Sequence, residues 1–162
     1  MEYTHVVHTF EPVYDSNSEI LILGSFPSVI SRENDFYYGN KRNRFWTLLS
    51  KIYNRDFSSM TNIEKRNTLL KLHIALYDSV YSCTIYKSSD ETIEDVCYSD
   101  IPSLIKESKI KHIYCNGNKA YELLLNAYPN LKDMTTVLPS TSPRNASYSL
   151  DRLYEKWQII KY

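Results

Sequence analysis

Glycine is scarce in this chain: three occur in 162 residues, where average usage is about 7%. So few leave little room for a Gly-rich dinucleotide fingerprint, and no Walker-type phosphate loop is present. Cysteine is equally sparse. Cys83, Cys97 and Cys115 are odd in number and form no Cys-x-x-Cys pair, which argues against a disulfide framework, a zinc site or a four-cysteine iron–sulfur cluster. There is no apolar run of about 18 residues and no charged-then-apolar leader ending in small residues, so neither a membrane span nor a secretory signal is expected. The chain reads as intracellular, in cytoplasm or nucleoid. A charge excess is missing too: nineteen basic side chains cancel nineteen acidic ones. If the protein binds nucleic acid, its positive charge must therefore be local.

What is present has the length of one compact domain, 1–162, burying roughly two-thirds of its unfolded surface. The first nineteen residues read as a short strand or extended arm and a turn. Ile20 to Leu23 is an apolar run of strand length that ends on Gly24. Phe45, Leu48, Leu49 and Ile52 recur at helical spacing and predict a helix from about Asn43 to Tyr53. Thr61-Asn-Ile-Glu64 reads as a capping box for a helix ending near Leu72. Ile74 to Cys83 reads as a second strand running into an unstructured polar loop, Thr84 to Glu94. Ser99 with Pro102 just inside predicts another helix start. Ile110 to Cys115 is a third strand, Ala120 to Ala127 a helix and Thr135 to Leu138 a fourth strand; a last helix or strand carries Leu150, Leu153 and Trp157. Strands alternating with helices over long crossovers predict an α/β fold with a parallel sheet covered on both faces.

In a parallel sheet the loops after all four strands open on one edge, which is where such folds bind ligands. The candidate site is then Gly24 to Arg44, Asp78 to Asp90, Asn116 to Lys119 and Pro139 to Asn145. Serine nucleophiles fit poorly, because Ser25 and Ser28 lack a Gly-x-Ser-x-Gly elbow and none of His5, His8, His73 or His112 falls in these loops. No metal ligands stand at metal-binding spacing. The loops do hold amides (Asn40, Asn43, Asn116), flat rings (Phe36, Tyr37, Tyr38) and the start of a window of fifteen residues without an acid that carries Lys41, Arg42, Arg44, Lys51 and Arg55. Such parts suit a pocket that stacks on a flipped base beside a phosphate backbone; they equally suit a core helix with a solvated basic face. Cleavage of an N-glycosidic bond can run on them, since an Asn carbonyl can hold the water that meets an oxocarbenium-like sugar.

Five blocks come in the order of a known family: Leu23-Gly-Ser-Phe-Pro-Ser28, Phe36-Tyr-Tyr-Gly-Asn-Lys-Arg-Asn-Arg-Phe-Trp46, Ile74-Ala-Leu-Tyr-Asp78 with Ser82-Cys83, Asn116-Gly117 with Lys119-Ala120, and Leu138-Pro-Ser-Thr-Ser-Pro-Arg-Asn145. By them the chain resembles the uracil-DNA glycosylase superfamily, most closely its hypoxanthine-DNA glycosylase branch. The resemblance implies a three-layer α/β/α sandwich around a four-stranded, mainly parallel sheet, and a monofunctional DNA repair enzyme without a cofactor. Such an enzyme flips a deaminated base, hypoxanthine or uracil, out of DNA and hydrolyses its glycosidic bond. It implies Asn40 or Asn43 as the catalytic amide, with Asn40 preferred. Tyr38 is placed against the flipped base, with Gly24, Ser25, Phe26, Asp78 and Asn116 around it. Lys41, Arg42, Arg44, Ser140, Thr141, Ser142 and Arg144 are assigned to the DNA backbone. The chain departs from mismatch-type relatives at Phe26, where they carry the water-placing Asn, and at Leu138. That departure keeps a second reading open, a catalytically inactive nucleic-acid or nucleotide-binding module; a third is a small-molecule hydrolase using Ser25. No partner subunit is implied.

Overall fold

The computed structural model describes residues 2–86 and 89–161, with the Asp90 side chain left out. Four strands form the parallel sheet: β2 (Ile20–Gly24), β3 (Ile74–Asp78), β6 (His112–Asn116) and β7 (Thr135–Leu138), in the order β3-β2-β6-β7. The central strand is apolar almost throughout, as a strand covered on both faces must be. Leu21, Ile22 and Leu23 are fully buried, each worth about 1.5–3 kcal/mol on leaving water. The register pairs Gly24 with Asp78 and Asn116 with Leu138. These four residues therefore end their strands along one edge.

Helices flank the sheet. The second helix, α2 (Phe45–Tyr53), buries Phe45, Trp46, Leu48, Leu49 and Ile52. It packs on α6 (Leu150–Trp157), with the Phe45 and Trp157 rings 6.1 Å apart. The third, α3 (Asn62–Lys71), starts at the Thr61–Glu64 capping box that its sequence announces. Another, α5 (Asn118–Ala127), turns Ala120, Leu123 and Leu124 inward.

Four expectations need correction. Ile74 to Cys83 is two strands, because the chain breaks at Ser79, whose N–H bonds the Gly24 carbonyl, and β4 (Val80–Ile85) leaves for another sheet. The stretch from Thr84 to Glu94 contains the end of β4 and a short 3-10 turn, Asp90–Thr92, before β5 (Glu94–Tyr98) begins; residues 87 and 88 lie outside the described residues. With β1 (Thr4–Val7), β4 and β5 make an antiparallel sheet in the order β1-β4-β5. The long loop after β2 holds a helix, α1 (Val29–Asn34), capped by the Ser28 hydroxyl. Finally, Asp100 and not Ser99 caps α4 (Ile101–Lys106); Ser99 is buried one step earlier.

Candidate active site at the carboxyl edge of the sheet

The loops after β2 and β7 and the last residues of β3 and β6 line one cavity of about 310 Å³, at the lower end of the range for small-ligand sites. From the first loop come Gly24, Ser25, Phe26, Tyr38, Asn40 and Asn43, and from β3 comes Asp78. Asn116 and Ser140 to Arg144 close the other side. The loop between α1 and α2 is anchored from below, since the Ser31 hydroxyl accepts the Gly39 N–H at 2.8 Å and the Ser31 carbonyl accepts the Phe36 N–H. Tyr38 adopts φ 52°, in the left-handed region, and lays its ring on Phe45 with centroids 4.0 Å apart.

The floor depends on a missing side chain. A Cβ on Gly24 would stand 2.4 Å from Asp78 Oδ1, closer than a carbon and an oxygen can approach, and a tight 3.1 Å from the Tyr38 hydroxyl. Asp78 is 4% exposed. Its other oxygen, Oδ2, pairs with His8 Nε2 at 2.8 Å. Burial first, and the Asp78 charge second, push the Tyr37 phenol well above its ordinary range, so that hydroxyl stays protonated.

The three amides differ in what they have left to offer, and backbone donors fix which end of each is oxygen. Asn43 Oδ1 accepts from Phe45 N at 3.0 Å and from the Thr141 hydroxyl at 2.8 Å, which fills both lone pairs. Among the described residues, Asn40 Oδ1 accepts only the Arg42 N–H, at 2.9 Å, which leaves one lone pair. Asn116 Oδ1 accepts from Thr141 N at 3.0 Å and its Nδ2 donates to Thr141 Oγ1 at 2.9 Å.

Two residues expected to meet a phosphate backbone are turned inward. Thr141 has no exposed surface and bonds Asn116, Asn43 and, through its carbonyl, Arg44 N. The Arg44 guanidinium donates to the carbonyls of Ser142, Asn145 and Tyr148. A rigid fork with several N–H groups suits such a triple contact. Lys41 and Arg42 are exposed on the rim, outside the cavity wall. Arg144 is exposed at the mouth with Nη1 3.2 Å from Ser89 Oγ. Ser140 and Ser142 are half-buried, and each hydroxyl accepts a backbone N–H of its own loop. Trp157 Nε1 donates to the Pro139 carbonyl at 2.8 Å and holds that loop from the far side. A second, more open hollow of about 460 Å³ shares Ser140, Ser142 and Arg144.

His8 was invisible to sequence reasoning, because its partner lies seventy positions away and only the pairing of β1 with β4 brings it in. The other histidines stay peripheral: His73 meets Glu19 and His112 meets Thr136. Among the described residues, no three His, Cys, Asp or Glu side chains come together to hold a metal ion, and no helix is long and apolar enough to cross a membrane.

A parallel α/β sheet with an amide-lined pocket at its carboxyl edge places this chain among the open α/β proteins that bind their ligands beyond the strand ends. The uracil DNA glycosylase superfamily model matches residues 11–162, and the chain belongs to that superfamily. It is 37% identical over 155 residues to a hypoxanthine DNA glycosylase from Methanosarcina acetivorans, covering 93% of this chain and 95% of that one. It is 34% identical over 140 residues to a protein of the same description from Methanosarcina barkeri, covering 84% and 86%. The solution NMR structure of a candidate uracil DNA glycosylase from Methanosarcina acetivorans superposes with a TM-score of 0.79 at 35% identity, covering 94% of each chain.

Proposed function

We propose that this protein is a monofunctional DNA glycosylase that acts as a monomeric single domain, 1–162, in the cytoplasm or nucleoid. It removes hypoxanthine from DNA, with uracil as a second substrate. The observation that carries the reading is Asn40: a cavity-lining amide whose carbonyl keeps one lone pair for a water. That water adds to C1′ as the C1′–N bond breaks and gives up one proton to solvent; the bonding pair leaves with the base, solvent protonates the base, and an abasic site remains. Water needs little activation against an oxocarbenium-like sugar, so an amide that positions it suffices. Asn43, its carbonyl filled, offers Nδ2 as a donor to the charge that grows on the departing base. Tyr38, backed by Phe45, gives the base its stacking surface. Gly24, Ser25, Phe26, Asp78 and Asn116 make up the rest of the base pocket.

Lys41, Arg42 and Arg144, with the serines at 140 and 142, meet the phosphates. Arg44 and Thr141 act one step back, as the clamp and the hub that keep the DNA-facing loop in shape. No lysine lines the cavity among the described residues, which supports hydrolysis without a Schiff base or strand cleavage.

The test is base release from end-labelled duplexes carrying one deoxyinosine or one deoxyuridine, followed by alkali. Wild type makes abasic sites, deoxyinosine first; Asn40→Ala binds the same duplex and makes none. Phe26, standing where mismatch-type relatives carry the water-placing Asn, supports a second reading, a binding module without catalysis. Binding without any release from either lesion would establish that reading instead.

A further inference from the structure

The buried pair His8–Asp78 answers to nothing in the water-positioning chemistry. The superfamily match begins at residue 11, so His8 enters the site from outside the matched segment. The ring sits among Phe10, Tyr77, Tyr37 and Phe26, at centroid distances of 4.5, 5.1, 6.0 and 6.1 Å. Its side chain has no exposed surface, and its Nδ1 has no hydrogen-bond partner among the described residues. A carboxylate oxygen accepts, so the N–H of this contact is on His8 Nε2, which donates to Asp78 Oδ2 at 2.8 Å. The other oxygen, Oδ1, lies over Gly24 in the cavity floor.

We propose that the His8–Asp78 pair is the specificity element of the pocket: a carboxylate acceptor, oriented by a buried histidine, that admits flipped bases with a ring N–H and rejects those with a ring lone pair. The proposal deepens the glycosylase reading and rests on it. Hypoxanthine presents N1–H and uracil N3–H on the Watson–Crick edge, whereas adenine N1 and cytosine N3 present lone pairs that a carboxylate repels. Deamination of adenine or cytosine converts one kind of edge into the other, so one fixed acceptor separates hypoxanthine from adenine and uracil from cytosine. A site built around such a contact discriminates far more strongly than a shape-fitted apolar pocket. Asp78 touches the base, and His8 is a positioning residue.

The experiment compares single-turnover release from duplexes containing deoxyinosine or deoxynebularine, whose purine has a lone pair at N1 and only hydrogen at C6, so that no clash enters. Wild type strongly favours deoxyinosine. In Asp78→Asn the His8 donor selects the carbonyl end of the new amide and turns its NH2 into the cavity; the deoxyinosine-to-deoxynebularine ratio falls by roughly 100-fold. His8→Leu lowers the ratio with DNA affinity unchanged, and His8→Gln, which again offers an N–H, restores it. If wild type releases neither base, the glycosylase reading itself fails. If wild type releases hypoxanthine but Asp78→Asn keeps the wild-type ratio, this inference alone is overturned, whether or not the His8 variants fold.

Discussion

Thr141 Oγ1 donates to Asn43 Oδ1 across 2.8 Å and 98 positions of sequence. That one bond ties the loop after β2 to the loop after β7, and it makes Asn43 a structural acceptor as well as a wall of the pocket. Asn43→Ala strands both the Thr141 hydroxyl and the Phe45 N–H. A loss of about 1–3 kcal/mol in urea unfolding is expected. Asn40→Ala removes one turn bond beside solvent and leaves the unfolding midpoint within about 0.5 kcal/mol of wild type. Equal destabilisation by the two would contradict the division of labour.

Gly24→Ala places a methyl 2.4 Å from Asp78 Oδ1. Something must shift, and the buried carboxylate is the nearest group. The variant is expected to lose at least about 1 kcal/mol of stability and nearly all base release. Wild-type release rates from this variant would show that the floor is softer than its geometry implies.

Arg44 and its neighbours separate by salt dependence. Lys41→Ala with Arg42→Ala removes two exposed cations, and the slope of log affinity against log salt shrinks by up to about 1.8. Arg44→Lys keeps a charge that cannot span three carbonyls. Its slope stays at the wild-type value while thermal stability and base release drop; a smaller slope would place Arg44 on a phosphate after all.

Burial pushes the Cys115 thiol from 9.0 up to about 12 and the Tyr53 phenol from 10.0 up to about 12. Both groups hold their protons longer in the folded chain than in the unfolded one. The stability this difference contributes is whole below pH 9 and drains as the pH rises from 9 toward 12. Urea midpoints at pH 8, 9.5 and 11 should fall in that order, and Cys115→Ala should flatten the first step, before tyrosine titrates. In the native protein at pH 8, iodoacetamide should label exposed Cys97 and spare buried Cys115, as read by mass spectrometry.

The parallel sheet was legible because each strand is a short apolar run with a polar break behind it, and α2 and α3 because their spacing and capping box are local signals. The switch of sheets at Ser79 was not. Ile74 to Cys83 resumes with apolar Val80 directly after Asp78-Ser79, and what turns the chain is a bond from Ser79 N to the distant Gly24 carbonyl. The same switch hid His8, which reaches Asp78 only because β1 pairs with β4. Arg44 misled for the opposite reason. It sits among cations that face solvent, yet its neighbour Phe45 begins a buried helix, and that places the guanidinium under the loop it holds.

The loop from Pro139 to Asn145 is gripped by Arg44 on one side and by Trp157 on the other. A ribosome delivering the chain from its amino end exposes Asn40 and Asp78 long before either grip can close. The nascent protein therefore carries its chemistry unassembled, and the pocket comes into being only after α6 has emerged and docked against α2.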